Sequence, residues 1–509
     1  MNGREKSDPA IVAGKPANEA APAAEERAER KAGAKGNASG QSRHRTQGRG
    51  GVSQALERVR TTARERKDER FTALLHHIDD GLLRESFAAI QRKAAPGVDG
   101  VRWKDYAADL EQNLAALRDA IHRGAYRALP SRRVYIPKAD GRQRPLAVAA
   151  LEDKIVQRAA ATVLEAIFEE DFLGFSYGFR PGRGPHDALD ALSVAIETRK
   201  VNYILDADIQ AFFDRVSHEW LIRFLGHRIG DKRMLRLILK WLKVGVLEDG
   251  VVKPGELGTG QGSVISPLLA NVYLHYAFDL WAEQWRRREA KGDMIIVRYA
   301  DDIVAGFQHE ADAKRFRDDM GKRLAEFALT LHPEKTRLIE FGRFAADNRA
   351  RRGLGKPETF NFLGLTHICG RSRRGKFMLR RKTRADRMRA KLKEVKDALM
   401  RRRHEPIPVQ GSWLGQVVGG FFGYHAVPTN SRALSAFLYH VKDLWRRALR
   451  RRSQKDRITW PRIDRLADAF LPKPSIRHPW PSIRFAARHP RWEPYASIGP
   501  VRFCAGGVR

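Results

Sequence analysis

Two adjacent carboxylates, Asp301 and Asp302, lie inside the apolar run from Met294 to Phe307. β-Branched residues on both sides of the pair favour strands, so we expect the two aspartates at the tip of a β-hairpin. Burying carboxylates between strands is costly unless they are paired or bind metal. The pair therefore indicates a site for divalent metal, provided that another segment supplies a third carboxylate.

Asp208 is the main candidate for the third carboxylate, because it follows the apolar stretch 203–205. The backbone carbonyl of Ile209 can add a further oxygen ligand. Asp206 and Asp214 compete with Asp208 for this role. Nucleotidyl transfer by two metal ions requires two carboxylate-rich strands at one site, so the sequence predicts a nucleic-acid polymerase that uses two Mg²⁺ ions.

Cationic side chains at two places fit the same chemistry. Segment 135–146 predicts a hairpin turn that carries Lys138, Arg142 and Arg144. These cations can neutralise a triphosphate, although a solvated turn explains them equally well. Lys335 can protonate the leaving pyrophosphate, or it can be an ordinary surface lysine.

Two further residues are candidates for contacts with the nucleotide. Phe212 is predicted to be a core aromatic residue, whereas Phe213 either joins the core or lies beneath the incoming sugar and excludes a 2′-hydroxyl. Residues 258–267 join a glycine-rich loop to an apolar helix. Within that loop Gln261 can hydrogen-bond a sugar or base, but a plain turn before a helix explains the loop equally well.

The net charge of +35 is unevenly distributed along the chain. Residues 371–509 carry 34 lysines and arginines against 9 acidic residues, which gives about +25 of the total. Charge of this density favours a polyanionic partner, bound in a salt-dependent manner. The alternative is a ribosome-like or membrane-surface basic protein.

Composition also restricts the class of protein. Two cysteines exclude a disulfide framework and a zinc site with the usual ligand count. The sequence has no apolar run of about 18 residues and no secretory signal. We therefore expect a soluble protein in a reducing compartment, with no membrane partner.

The chain divides by composition and periodicity. Residues 1–65 are rich in Ala, Gly, Glu, Arg and Ser and poor in large apolar groups, so we expect disorder. Helical spacing begins near Phe71 and continues to the turn at 95–100. Strands alternate with helices from Val134 to Leu365, and the remainder is basic and mainly helical.

Eight segments resemble, in the same order, the reverse transcriptases encoded by bacterial group II introns. They are PGVDG, IPKADGRQRPL, FSYGFRPGRGPHDAL, DADIQAFFD, GQGSVISPLLANVYL, RYADD, LHPEKT and FNFLGL, followed by a basic helical segment. The resemblance covers about residues 66–509. It implies an α+β right-hand polymerase fold, in which fingers and palm are followed by an α-helical thumb, also called domain X or the maturase domain.

The resemblance also implies domain boundaries. Residues 66–125 would form an N-terminal helical extension and the start of the fingers, and 126–370 the fingers and palm. Residues 371–455 would form the thumb, and 456–509 a short basic tail that binds DNA. The helical layer from Phe71 to Pro96 would contact the template.

The same resemblance assigns roles to the candidate residues. Asp208, Asp301 and Asp302 would be the metal-binding triad, and Phe213 the sugar gate. Arg144 and Gln261 would contact the incoming nucleotide, with Lys335 near its phosphates. Phe362, Leu363 and Gly364 would position the primer terminus.

The function implied is RNA-directed DNA synthesis combined with splicing of the intron RNA, which supports intron mobility by target-primed reverse transcription. The partners would be group II intron RNA, a DNA target and primer, and deoxynucleoside triphosphates, in the bacterial cytoplasm and at the nucleoid when DNA is bound. Relatives with a His-Asn-His endonuclease domain carry cysteine pairs after the basic segment. Here that region holds only Cys504, so we expect no such nuclease.

Three alternatives stay open. The first is an RNA-binding splicing factor whose polymerase activity is vestigial. The second is a related bacterial reverse transcriptase that serves phage defence or sequence diversification. The third is an RNA polymerase that copies RNA, which Phe213 argues against.

Overall fold

The structure, a computed structural model, describes residues 49–137, 143–253, 255–452 and 458–488. The strands are β1 Ser131–Pro137, β2 Gln143–Val148, β3 Tyr203–Asp208, β4 Val246–Glu248, β5 Val251–Lys253, β6 Met294–Tyr299, β7 Asp302–Phe307, β8 Arg337–Glu340, β9 Phe360–Phe362, β10 Leu365–Arg371 and β11 Phe377–Thr383. The helices as far as β6 are α1 Arg49–Glu65, α2 Asp80–Ala89, α3 Trp103–Ala108, α4 Leu110–His122, α5 Leu151–Phe168, α6 Pro185–Thr198, α7 Phe212–Arg215, α8 His218–Gly226, α9 Lys232–Lys243, α10 Ser266–Leu274 and α11 Leu280–Arg288. Those after β7 are α12 Glu310–Ala325, α13 Ala345–Arg351, α14 Ala385–Arg401, α15 Ile407–His425, α16 Ser431–Arg450, α17 Trp460–Phe470 and α18 Pro481–Arg488. A 3₁₀ turn spans Leu75–His77, and a π-helix, His275–Asp279, joins α10 to α11.

The central sheet has the strand order β6-β7-β3-β8 and is antiparallel throughout. Side chains alternate between its two faces. Leu205 and Ile303 pack on one side, in a core that includes α5, α10, α11 and α12. Ile204 and Val304 pack on the other side, in a second core that includes α6 and the sheet β9-β10-β11. The sheet is therefore covered on both faces, and its end carries the aspartates of interest.

The N-terminal sheet has the order β2-β1-β4-β5. β1 and β2 are antiparallel, with Ile136 opposite Arg144, whereas β1 and β4 are parallel. The turn that joins β1 to β2 comprises residues 138–142 and lies outside the described residues. The predictions for Lys138 and Arg142 fall in that turn.

The C-terminal bundle, α14 to α17, has its own apolar core. Trp445 is fully buried there, and its indole N–H donates to the side-chain oxygen of Gln410 at 2.9 Å. After α17 the chain returns to the central sheet, where α18 packs on α6. Asp190 of α6 binds Arg381 of β11 at 2.9 Å and Arg484 of α18 at 3.2 Å. We call these three residues the Asp190 junction.

The structure is of mixed helix and sheet content, as the sequence predicts. The prediction of disorder for residues 1–65 is wrong for 49–65, which form α1; residues 1–48 lie outside the described residues. Val59 and Ala63 lie one helical turn apart and are buried in the core that contains α5. The composition of residues 1–65 suggested too little apolar burial to offset the conformational entropy lost on folding. Burial of Val59 and Ala63 offsets that loss for α1.

The predicted start of the helical region at residue 371 is also wrong. The segment 371–383 completes β10 and forms β11, in which buried Leu379, Arg381 and Thr383 alternate with exposed residues, and helices begin at Ala385. The predicted tail from residue 456 is not a separate element in its described part. There α17 completes the core of the bundle and α18 packs on α6, while residues 489–509 lie outside the described residues.

Over the ranges described, no helix combines the length and the apolar character needed to cross a bilayer.

Candidate active site

Asp208 and Asp302 stand directly opposite each other at the end of the central sheet. β3 pairs with β7 in the register that places Asp206 against Val304 and Asp208 against Asp302. Opposite residues in such a pair have Cβ atoms about 5 Å apart, and like charges at that separation repel. The two carboxylates therefore lie close together at the end of the sheet.

Asp301 lies in the tight turn that joins β6 to β7. Tyr299 pairs with Asp302, so Ala300 and Asp301 are the two residues of the turn. Ala300 has a φ of 55°, in the left-handed region that a residue with a Cβ seldom adopts. Burial raises the pKa of Asp301 and the Asp208 carboxylate raises it further, so the turn places a third carboxylate beside the first two.

Lys335 forms an ion pair with Asp208. The segment before the lysine runs beside the end of β3, where the His332 N–H donates to the Asp208 carbonyl at 2.7 Å and the Gln210 N–H donates to the Thr330 carbonyl at 2.8 Å. The side chain of Lys335 is 54 % exposed. It therefore reaches the carboxylates from the solvent side.

Arg144 of β2 approaches the same carboxylates from the N-terminal sheet. Its charge lowers the pKa of Asp301, and burial lowers the pKa of Arg144 itself. Arg387 of α14 is close enough to lower the pKa of Arg144 further. Residues from the N-terminal sheet, the central sheet and the C-terminal bundle therefore act electrostatically on this one place.

Phe213 and Gln261 line one cavity of about 220 Å³. Phe212 is buried in the core, as predicted, with only 2 % of its surface exposed. The ring of Phe213 is partly exposed and lies edge-on to the rings of Phe212 and Phe179. Of the two adjacent phenylalanines, only Phe213 presents a face to the cavity.

The glycine-rich loop owes its glycines to close contacts with protein backbone. A Cβ on Gly258 would lie 2.8 Å from the carbonyl oxygen of Phe213, and one on Gly262 would lie 3.0 Å from that of Ala147. The Ala147 N–H donates to the Gln261 carbonyl at 2.7 Å. The loop therefore fixes Gln261 between β2 and α7.

The residues predicted to position a primer form the turn between β9 and β10. Phe362 pairs with Leu365, which leaves Leu363 and Gly364 as the turn, with φ values of 46° and 76°. The Tyr424 hydroxyl donates to the Leu363 carbonyl at 2.8 Å. A leucine in the left-handed region is strained, and here a side chain from the C-terminal bundle holds it in place.

The two competitors of Asp208 lie elsewhere. Asp206 lies on the same face of β3 as Asp208 but pairs in register with Arg337 of β8, and burial raises its pKa to about 7. Asp214 is exposed on α7 and lines the cavity beside Phe213. Asp208 is therefore the residue of β3 that lies opposite Asp302.

The donor set fits a divalent cation in its chemistry. Within the part of the chain that the structure describes, no group of three His, Cys, Asp or Glu side chains stands ready-arranged as a metal site. The carboxylates are nevertheless the hard oxygen ligands that Mg²⁺ prefers. The charge of Asp208 raises the pKa of Asp301, and Asp208 already binds a cation in the form of Lys335. Bound divalent charge would relieve that repulsion.

Sequence reasoning missed the residues beneath the hairpin. Arg298 is fully buried and binds the equally buried Asp279 through two hydrogen bonds, of 2.6 and 2.7 Å. Asp279 follows an apolar helical segment and gave no signal, because a charge on a helix is usually solvated. The signal available was Arg298 itself, a charged residue inside an apolar strand.

Comparison with known proteins agrees with this arrangement. A family described as reverse transcriptase (RNA-dependent DNA polymerase) matches residues 136–367. Protein YkfC of Escherichia coli (strain K12) is 36 % identical over 278 residues, which cover 48 % of this chain and 72 % of that protein.

Intron proteins show the same similarity over shorter spans. The group II intron-encoded protein LtrA of Lactococcus lactis subsp. cremoris is 34 % identical over 226 residues, 43 % of this chain and 37 % of that protein. Nuclear intron maturase 3, mitochondrial, of Arabidopsis thaliana is 27 % identical over 134 residues, 26 % of this chain and 18 % of that protein. The chain thus spans well under half the length of these two relatives. Asp208 and Asp302 on neighbouring strands, Asp301 in the adjoining turn and these similarities together show that the chain belongs to the group II intron-encoded family of reverse transcriptases.

Proposed function

We propose that the chain is an RNA-directed DNA polymerase that also acts as a maturase in the splicing of a group II intron RNA, and so supports intron mobility by target-primed reverse transcription. The observation that carries the proposal is the pairing of Asp208 with Asp302 beside the Asp301 turn. The central sheet is then the palm, the N-terminal sheet belongs to the fingers, and the C-terminal bundle is the thumb.

Asp208, Asp301 and the carbonyl oxygen of Ile209 are the ligands that would hold two Mg²⁺ ions, with Asp302 beside them. When bound, the ions lower the pKa of the primer 3′-hydroxyl and neutralise charge on the pyrophosphate. The central sheet keeps its carboxylates in place because both of its faces are packed.

Four other side chains act on the incoming nucleotide. Arg144 binds the triphosphate, since it is a half-buried cation whose charge lowers the pKa of Asp301. Lys335 donates a proton to the departing pyrophosphate from the solvent side of Asp208. Phe213 lies beneath the sugar and excludes a 2′-hydroxyl, while Gln261, which lines the same cavity, hydrogen-bonds the nucleotide.

The primer and the RNA use other surfaces. The turn Phe362 to Gly364, held by Tyr424 of the bundle, positions the primer terminus. The density of basic residues after 371 supports binding of the RNA phosphate backbone. Maturase activity uses this basic bundle and does not require the carboxylates.

Replacement of Asp301 by alanine tests the proposal. Primer extension on an RNA template should be abolished, because a ligand for both metal ions is lost, whereas affinity for the RNA and splicing of the intron should stay near wild type. The measurements are extension of a labelled primer with deoxynucleotides, binding of the RNA by filter retention, and intron splicing in the same buffer.

Asp318→Ala is the matched control. Asp318 lies in a second Asp-Asp pair on α12, where its side chain is 58 % exposed and binds the adjacent Arg317. This variant should extend primers normally. A wild-type chain that binds and splices RNA but extends no primer would identify it as a splicing factor, and loss of RNA binding in Asp301→Ala would show that Asp301 is structural.

A further inference from the structure

Arg298 uses every hydrogen-bond donor of its guanidinium. The side chain is fully buried in β6, just before the catalytic turn. An arginine side chain has five N–H donors in a planar fork. The acceptors are both Asp279 carboxylate oxygens at 2.7 and 2.6 Å, the Asn271 side-chain oxygen at 3.1 Å, the Ala300 carbonyl at 3.0 Å and the Ser176 hydroxyl at 2.7 Å.

Stability alone is a poor explanation for this network. Burial raises the pKa of Asp279, and Arg298 opposes that shift by its charge. Removing two charges from water costs several kcal/mol per ion, which their attraction often fails to offset, so an apolar pair of similar volume commonly serves stability as well. The network therefore calls for a reason other than stability.

Its contact with the turn supplies that reason. Ala300 is held in the left-handed region, which is unfavourable for a residue with a Cβ, and its carbonyl accepts from Arg298. The Arg298 backbone is fixed as well, because its N–H donates to the Phe175 carbonyl and its carbonyl accepts from the Tyr177 N–H, each at 2.9 Å. Both the backbone and the side chain of Arg298 thus fix the residue that precedes Asp301.

The π-helix brings two members of the network into closer alignment. Asn271 and Asp279 are eight residues apart, so in an uninterrupted α-helix at about 100° per residue their side chains would point about 80° apart. The π-helix His275–Asp279 fits about one extra residue into its turn, which reduces that difference to about 20°. Both side chains can then reach one guanidinium.

We infer that Arg298 is a positioning residue, whose guanidinium, oriented by Asn271 and Asp279, holds Ala300 in its left-handed conformation and so fixes the Asp301 carboxylate. The inference deepens the proposed polymerase function and rests on it. Arg298 itself does not touch the substrate, because its side chain is enclosed below the turn.

Arg298→Lys is the principal test, since it keeps the charge and removes the planar fork. A displacement of about 1 Å at a reacting group can cost about 100-fold in rate. We expect a fall of about this size in kcat per folded molecule, a higher Mg²⁺ concentration for half-maximal extension, and an unchanged affinity for template and primer. Independently of activity, hydrogen exchange of the amides of residues 299–303 should become faster.

Two further variants keep the test decisive. Ser176→Ala removes one of the five bonds but leaves the pair with Asp279, so it should fold and show both effects in weaker form. Arg228→Lys is the matched control, because Arg228 is 3 % exposed and binds backbone carbonyls of Ala63 and Arg66, away from the turn. It should lower thermal stability while leaving kcat and the exchange of 299–303 unchanged.

Wild-type kcat and wild-type exchange in Arg298→Lys and Ser176→Ala would overturn the inference. Equal losses in Arg228→Lys and Arg298→Lys would do the same, because they would mark a general effect on folding. If the wild-type chain extends no primer, the proposed function fails, while hydrogen exchange still decides whether Arg298 holds the turn.

Discussion

Asp208 lies close to charges of both signs. It faces Asp302 across the sheet and raises the pKa of Asp301, and Lys335 is the cation that it binds. A cluster of this kind is unfavourable for folding unless charge of opposite sign enters it. The presence of this carboxylate cluster at the end of a fully packed sheet supports a reaction that depends on bound metal.

Substitution of Phe213 by valine tests the sugar gate. The smaller side chain removes the ring that would contact a 2′-hydroxyl, so ribonucleotide incorporation should rise by at least an order of magnitude relative to deoxynucleotide incorporation. The measurement is the ratio of kcat/KM for the two nucleotides on one RNA template.

Phe212→Leu provides the control for that experiment. Phe212 is buried in the core, so its loss should lower the melting temperature without changing sugar selectivity. An unchanged selectivity ratio in Phe213→Val would remove the gate role and leave Phe213 as a second core ring.

The segment that contains Gly178 packs closely against the turn between β6 and β7. A Cβ on Gly178 would lie 2.3 Å from the Ala300 backbone nitrogen, so Gly178→Ala should push the segment off the β6–β7 turn. We expect a fall of roughly tenfold or more in primer extension, since displacement of a reacting group is costly. Initial rates at saturating nucleotide, corrected for the folded fraction by circular dichroism, provide the measurement.

Gly174→Ala is the matched control in the same segment, because nothing lies within 4 Å of a Cβ built there. This variant should keep wild-type activity. If Gly178→Ala were equally active, the hairpin would have to tolerate displacement, and the rigid packing described for it would be incorrect.

Local pattern was enough to predict the β6–β7 hairpin. The β-branched runs on either side of Asp301 specify two strands, and the apolar stretch before Asp208 specifies the third. The position of the glycine-rich loop was also predicted from the sequence. The reason for its glycines was not, since they lie against the protein backbone at Phe213 and Ala147. A sequence shows that glycine is present and not what approaches it.

The contacts beneath the hairpin could not be predicted in the same way. Ser176 lies 122 residues from Arg298, and no local signal pairs them. The π-helix that brings Asn271 and Asp279 together depends on tertiary packing as well, because nothing in its five residues forbids a regular helix. Long-range side-chain networks require the fold before they can be identified.

Charge is the property that belongs to the whole molecule. The net charge of +35 should make RNA affinity fall steeply with salt. Each neutralised phosphate contributes about 0.7 to 0.9 to the slope of log Kd against log salt, so a footprint of several phosphates predicts a loss of about 1000-fold or more between 50 and 200 mM. Fluorescence anisotropy with labelled intron RNA across that range measures the slope.

A double substitution locates the charge that matters. Arg389 and Lys393 are exposed on α14, and replacing both by glutamine should lower the slope by about 1.5. Lys322→Gln is the control, since α12 packs in the core on the opposite face of the central sheet from the aspartates. Equal slopes for the double variant and the wild type would place the RNA elsewhere.

The Asp190 junction helps to fix the distance between the turn proposed to hold the primer terminus and the turn that carries Asp301. One buried carboxylate joins α6, β11 and α18, and β11 pairs along its whole length with β10, which begins directly after the Leu363–Gly364 turn. α6 packs directly against β6, which leads to Asp301. An unbroken path of packed elements thus connects the two turns, so their spacing is set by the folded chain before any nucleic acid arrives.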